Sequence, residues 1–127
     1  MIKGLDGVLL ASENAKALAE FYEGKVGIKI KEEYEMGENS NVFEMASGEG
    51  SSFMILDHSE VKGSSKEPQR FMMNFEVSDI DKSVGEVSSK GVKVIAEKYH
   101  IEGYGYIATF EDLDGNYFQL VQFRDGE

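Results

Sequence analysis

The sequence contains no cysteine. Disulfide frameworks, thiolate zinc sites and thiol nucleophiles are thereby excluded, and the absence fits a reducing compartment. Proline is almost missing as well: the single Pro68 follows the run Gly63-Ser64-Ser65, so the strongest breaker of regular structure marks a linker. No apolar run approaches the length of a bilayer span. Met1 to Leu10 carries one lysine and is interrupted by Gly4, Asp6 and Gly7, unlike the apolar core of a signal peptide, so the expected location is cytoplasmic. Positive charge is scarce. The 13 Lys and Arg are scattered against 24 Asp and Glu, and a formal charge of -11 repels a phosphate backbone, so nucleic acid is not an expected partner. There is no glycine-rich phosphate cradle, no Ser-His-Asp order and no Cys-His pair, which argues against a nucleophilic enzyme.

What is present is an internal duplication. Residues 5 to 57 lie over 70 to 122 at an offset of 65, placing Leu10 on Phe75, Phe43 on Ala108, Gly50 on Gly115, Phe53 on Phe118 and Ile55 on Leu120. Glu33-Tyr34 falls on Lys98-Tyr99, and Gly27 meets Gly91 after one residue of slippage. Each half begins with a short apolar run, Gly7 to Ala11 or Met72 to Val77, read as a strand. A helix follows. Asn14 is the expected cap of the first, whose apolar face is Leu18, Phe21 and Tyr22; Ser78 with Asp81 resembles a capping box for the second, with Ile80, Val84 and Val87 at helical spacing. Gly24 or Gly27, and Gly91, end these helices. An alternating strand and a hairpin complete each half, turning through residues 47–50 in the first and 112–116 in the second. The 127 residues are read as one domain, with module one over 1–57, a linker over 58–69 and module two over 70–127. Acidic residues crowd between Glu32 and Glu49, including Glu33, Glu35, Glu38 and Glu44. They read either as a solvated edge strand or as a rim attracting a cationic ligand.

The order of strand, helix with Phe21-Tyr22, Gly27 before the next strand, and Glu111-Asp112-Leu113-Asp114-Gly115-Asn116 leading into Tyr117-Phe118-Gln119-Leu120 resembles the vicinal oxygen chelate superfamily. That superfamily holds lactoylglutathione lyases, extradiol dioxygenases, fosfomycin-modifying enzymes and bleomycin-resistance proteins. The resemblance implies an α+β fold in which two βαβββ modules form a curved mixed β-sheet cup with helices outside. It also implies that metal ligands point into the cup from the first and last strands of each module, at the positions of Gly7, Met54, Met72 and Gln119. A divalent metal needs about three His, Glu or Asp donors with an open position. This chain offers one amide oxygen at those places, so no metal and no other cofactor is expected.

The residues expected to contact a ligand are Met54, Met72, Asn74 and Gln119, with Tyr104, Tyr106 and Tyr117. By strand parity Asn74 and Glu76 share the inward face with Met72, while Met73, Phe75 and Val77 face the helix. Tyrosine offers a flat apolar face with a hydroxyl, and methionine suits adaptable pockets. The same residues also read as packing. His58 follows the fourth strand and His100 is placed in a loop over residues 99–103; both read as surface histidines. The leading expectation is a metal-independent small-molecule binder of the bleomycin-resistance type, a homodimer with a cationic ligand. One alternative is a metal-dependent lyase, isomerase or dioxygenase relative using Gln119 with Glu44, His58 or His100. The other is a non-catalytic protein-interaction module.

Overall fold

The computed structural model describes residues 1–36, 40–48 and 51–123. The turn residues Glu49 and Gly50, and the acidic Glu38, lie outside the described residues. The chain divides into two compact units, residues 1–63 and 64–127, at a point inside the segment expected to link them.

In the first unit β1 (Gly7–Ser12) leads into α1 (Ala15–Phe21), followed by β2 (Ile30–Glu35), β3 (Asn41–Met45) and β4 (Ser52–Asp57). The strands lie in the order β1-β4-β3-β2, with β1 parallel to β4 and the other pairs antiparallel. Helix α1 forms from residues of high helix propensity, Ala15, Ala17, Leu18 and Ala19, behind Asn14, whose side chain accepts the Ala17 N–H as expected. It continues into a π-helical turn over Tyr22–Val26 and stops at Gly27, which adopts φ +94°. The Tyr22 carbonyl takes the N–H of both Gly27 and Ile28, satisfying the helix end. Leu18, Ala19, Phe21 and Tyr22 are buried, as are Phe43, Met45, Phe53 and Ile55 on one face of the sheet. Tyr22 meets Phe53 edge-on at 5.7 Å. Truncating a residue as enclosed as Leu18 to alanine costs about 2–5 kcal/mol.

The second unit repeats the plan with β5 (Met73–Glu76), α2 (Ile80–Ser89), β6 (Lys93–Ile101), β7 (Gly105–Glu111) and β8 (Tyr117–Phe123), ordered β5-β8-β7-β6. Here β5 is parallel to β8 and the rest is antiparallel. The cap differs from the expectation: Asp79, one residue beyond Ser78, accepts the Lys82 N–H, because the helix starts at Ile80 and the cap must immediately precede it. Val84 is half-buried, whereas Ile80 and Val87 are buried. His100 and Tyr99 also depart from the expected loop; they belong to β6, which runs on to Ile101 with two register irregularities. The 112–116 turn is held by Asp112, whose carboxylate accepts the N–H of Asp114 and Asn116 and the Asn116 side-chain amide.

The duplication holds at the level of register. Met54 lies between Leu9 and Glu44 in the first sheet, and Gln119 between Asn74 and Thr109 in the second, all at the same sequence offset. It also holds at the helix starts. Asp57 accepts the Ala15 N–H at 2.8 Å, and its counterpart Gln122 accepts the Ile80 N–H at 2.8 Å. In each unit, the end of the last strand thus secures the start of the helix.

Candidate functional site

Each sheet has one face covered by its helix and one that is not. In the second unit the uncovered face carries the row Asn74, Gln119, Thr109 and Ala96, one residue from each strand. Gln119 lies on an inner strand, so neighbours on both sides leave it 8% exposed. Its Nε2 donates to the Thr109 hydroxyl at 2.8 Å. Asn74, on the edge strand, is exposed, and its Nδ2 donates to the Tyr104 hydroxyl at 3.4 Å. The Tyr104 ring stands edge-on to Phe123 at 5.1 Å. Tyr117 pairs with Glu111 in the next row of the same face, and Val121 pairs with Ile107. Met72 precedes β5 and is 38% exposed.

Tyr106 is not on this face. It pairs with Gln122 and His100 on the α2 side, with its ring 4.9 Å from the imidazole. The Lys98 ammonium lies over it, 5.2 Å from the ring centre, and bonds Asp81 of α2 at 2.8 Å. The hydrogen bond that Lys98 donates to Asp81 raises its pKa above the ordinary lysine value, against desolvation and with further help from the charges of Asp81, Tyr106 and Asp79. Tyr104 and Tyr106 part because Tyr104 closes a turn onto the Ile101 carbonyl and Gly105 takes φ +144°. Strand alternation does not pass through such a residue.

The uncovered face of the first unit carries Leu9, Met54, Glu44 and Glu32, in that order across the strands. The Tyr34 hydroxyl donates to the Met54 sulfur at 3.4 Å. Glu32 and Glu44 are direct cross-strand neighbours, an arrangement that like charges disfavour. Tyr34 and Thr109 were not singled out from the sequence. The alignment of Glu33-Tyr34 with Lys98-Tyr99 was the available signal for the first, and the register of Glu44 with Thr109 for the second.

The four positions to which the resemblance assigns metal ligands do not assemble a donor set. A Cβ at Gly7 would stand 2.8 Å from the Ser52 carbonyl oxygen and closer still to its hydroxyl, so this backbone leaves no room for a ligating side chain. Thioethers at Met54 and Met72 are poor donors for hard divalent ions, and Gln119 contributes a single amide oxygen. Among the described residues no three His, Asp or Glu come together as a metal site. His58 is exposed beyond β4, where its Nδ1 accepts the Glu60 N–H, and His100 lies on the face opposite Gln119.

These features agree with the comparisons. The sequence pattern of the Glyoxalase/Bleomycin resistance protein/Dioxygenase superfamily matches residues 4–120. The uncharacterized protein YetH of Bacillus subtilis (strain 168) is 30% identical over 123 residues, covering 96% of this chain and 100% of YetH. TnmS3, an antibiotic-binding protein from Streptomyces sp. CB03234, superposes with a TM-score of 0.72 at 18% identity over 97% of this chain and 98% of its own. The trypanothione-dependent glyoxalase I of Leishmania major does so with a TM-score of 0.74 at 16% identity over 95% and 87%. No helix among the described residues is long and apolar enough to cross a membrane. With its duplicated βαβββ modules and a family match spanning nearly its whole length, the chain belongs to the Glyoxalase/Bleomycin resistance protein/Dioxygenase superfamily.

Proposed function

We propose that this chain is a metal-independent small-molecule-binding protein, working as TnmS3 does on its antibiotic and not as a metal lyase. The observation that carries the reading is the chemistry at Gly7, Met54, Met72 and Gln119, where a backbone without room and two thioethers replace hard donors. Asn74, Gln119, Tyr104 and Tyr117 supply amide and hydroxyl groups on one face of the second module, and Met54 and Met72 supply adaptable apolar contact. Tyr106 takes no part. The net charge of -11 favours encounter with a cationic ligand, and Glu32 beside Glu44 on the Met54 face adds to that field. We further assign a homodimer as the working form, on the cytoplasmic side, without a nucleic-acid partner.

Elemental analysis of untagged protein, dialysed without chelator, tests the reading: metal is expected far below one equivalent per chain. Near one equivalent, lost on chelation together with an activity, would overturn it in favour of the lyase. A thermal-shift screen is expected to return cationic compounds whose effect falls in Gln119→Leu. Sedimentation as a monomer at micromolar concentration would remove the dimer.

A further inference from the structure

The first unit contains a cavity of about 730 Å³ where β4 ends and α1 begins, within the size range of small-molecule sites. Its apolar wall is Met36, Val42 and Leu56. Val42 and Leu56 pair across the β3–β4 ladder, and this wall stands one row beyond Met54. Its polar groups decide what it can hold. Two carboxylates, Asp57 and Glu13, line it, and both already serve as acceptors within the protein. Asp57 Oδ1 takes the Ala15 N–H and its Oδ2 the Asn41 N–H, and Glu13 takes the Gly63 N–H. Beside them stand three donors. His58 accepts the Glu60 N–H at Nδ1, so a neutral imidazole carries its proton on Nε2. Asn14 uses its oxygen to cap α1, which leaves its NH₂. Lys62 brings an ammonium with no ion pair to a described residue.

We infer that this cavity is a binding site for a small carboxylate with an apolar body, its head held by Lys62, the His58 Nε2–H and the Asn14 amide, its body against Met36, Val42 and Leu56. A carboxylate accepts several charge-assisted hydrogen bonds at once, and three donors line the cavity for it, whereas the carboxylates that would receive an alkylammonium already hold backbone N–H groups in place with part of their lone pairs. Asp57 and Glu13 in the same lining oppose an anion, and salt does not screen charges this close, so the assignment rests on three donors meeting one head group. The site involves none of the residues proposed for the main function, so the two readings stand or fall separately.

Octanoate, octylammonium and octanol share one body and differ only in the head, and calorimetric titration of the full chain with each tests the assignment. Octanoate is expected to bind tightest, with its Kd raised about tenfold or more in Lys62→Met and weakened again in His58→Leu. Octanol affinity should be unmoved by Lys62→Met. Met36→Asp should weaken both octanoate and octanol by opposing the apolar wall. Lys62, His58 and Met36 are exposed, so these variants leave the fold intact. Gln119→Leu should leave octanoate affinity as it is. Failure of all three probes to bind, preference for octylammonium, or octanoate affinity that ignores Lys62 and His58 would overturn the site. Loss of octanoate binding in Gln119→Leu alone would transfer it to the face proposed above. A bound metal, or failure of the cation screen, with Lys62-dependent octanoate binding retained, would remove the main functional reading and leave this site standing.

Discussion

Replacing Asp57 by alanine is the sharpest test of how the first module holds together. The carboxylate joins three elements: it belongs to the end of β4, takes the first N–H of α1 at 2.8 Å, and takes the N–H at the start of β3 at 3.2 Å. Hydrogen bonds to a charged group contribute about 1.5–3 kcal/mol each, and a negative charge at a helix N-terminus about 0.3–1 kcal/mol. Water reaches this half-buried site and recovers part of the loss, so Asp57→Ala should cost about 2–4 kcal/mol. Asp57→Asn separates charge from shape. Its single oxygen can serve one N–H while its NH₂ opposes the other, and roughly half of the cost should remain. Gln122→Ala, which removes one neutral bond to Ile80, should cost only about 0.5–1.5 kcal/mol. Urea denaturation gives the global values, and amide exchange at Ala15 and Asn41 reports opening of the first module alone. Asp57→Ala within about 0.5 kcal/mol of the parent, or Asp57→Asn as stable as the parent, would refute the reasoning.

The same logic extends to other positions. Asp79→Ala should lower stability by about 1 kcal/mol in urea denaturation, while Ser78→Ala should have little effect, since Asp79 is the cap. Gly105→Ala should destabilise by more than about 1 kcal/mol, because φ +144° disfavours a Cβ that would also meet the Gln122 carbonyl. In Asp81→Asn, NMR titration of the Lys98 side chain should move to lower pH than in the parent. The sign follows from the raised pKa: the stabilisation from this pair is complete below the ordinary lysine value of 10.5 and fades as pH rises through the raised one.

Much of the architecture was legible because its signals are local. The strand alternation, the helical spacing of Leu18, Phe21 and Tyr22, the glycine stop at Gly27 and the Asp-Gly-Asn turn each depend on neighbouring residues, and the offset of 65 tied them into two equivalent modules. Parity within β5 and β8 was readable for the same reason, so Asn74 and Gln119 fall on one face as the alternation requires. The resemblance then points to four ligand positions, and residue type alone makes Gly7, Met54, Met72 and Gln119 a poor donor set for a divalent metal.

Tertiary structure decided what alternation could not reach. The positive φ at Gly105 and the turn ahead of it send Tyr104 to Asn74 and leave Tyr106 with His100 and Lys98, although the two tyrosines are separated by one residue. The anchoring of α1 by Asp57 and of α2 by Gln122 spans 42 residues in each case, and no local pattern marks either side chain as a cap. The partner of Gln119 is Thr109, fixed by the β7–β8 register. Sequence alone determined the elements and their duplication, because helix and strand preferences act between residues a few positions apart. Only the fold decided which polar groups are already engaged and which remain for a ligand, because those hydrogen bonds join residues that chain folding, and not sequence proximity, brings together.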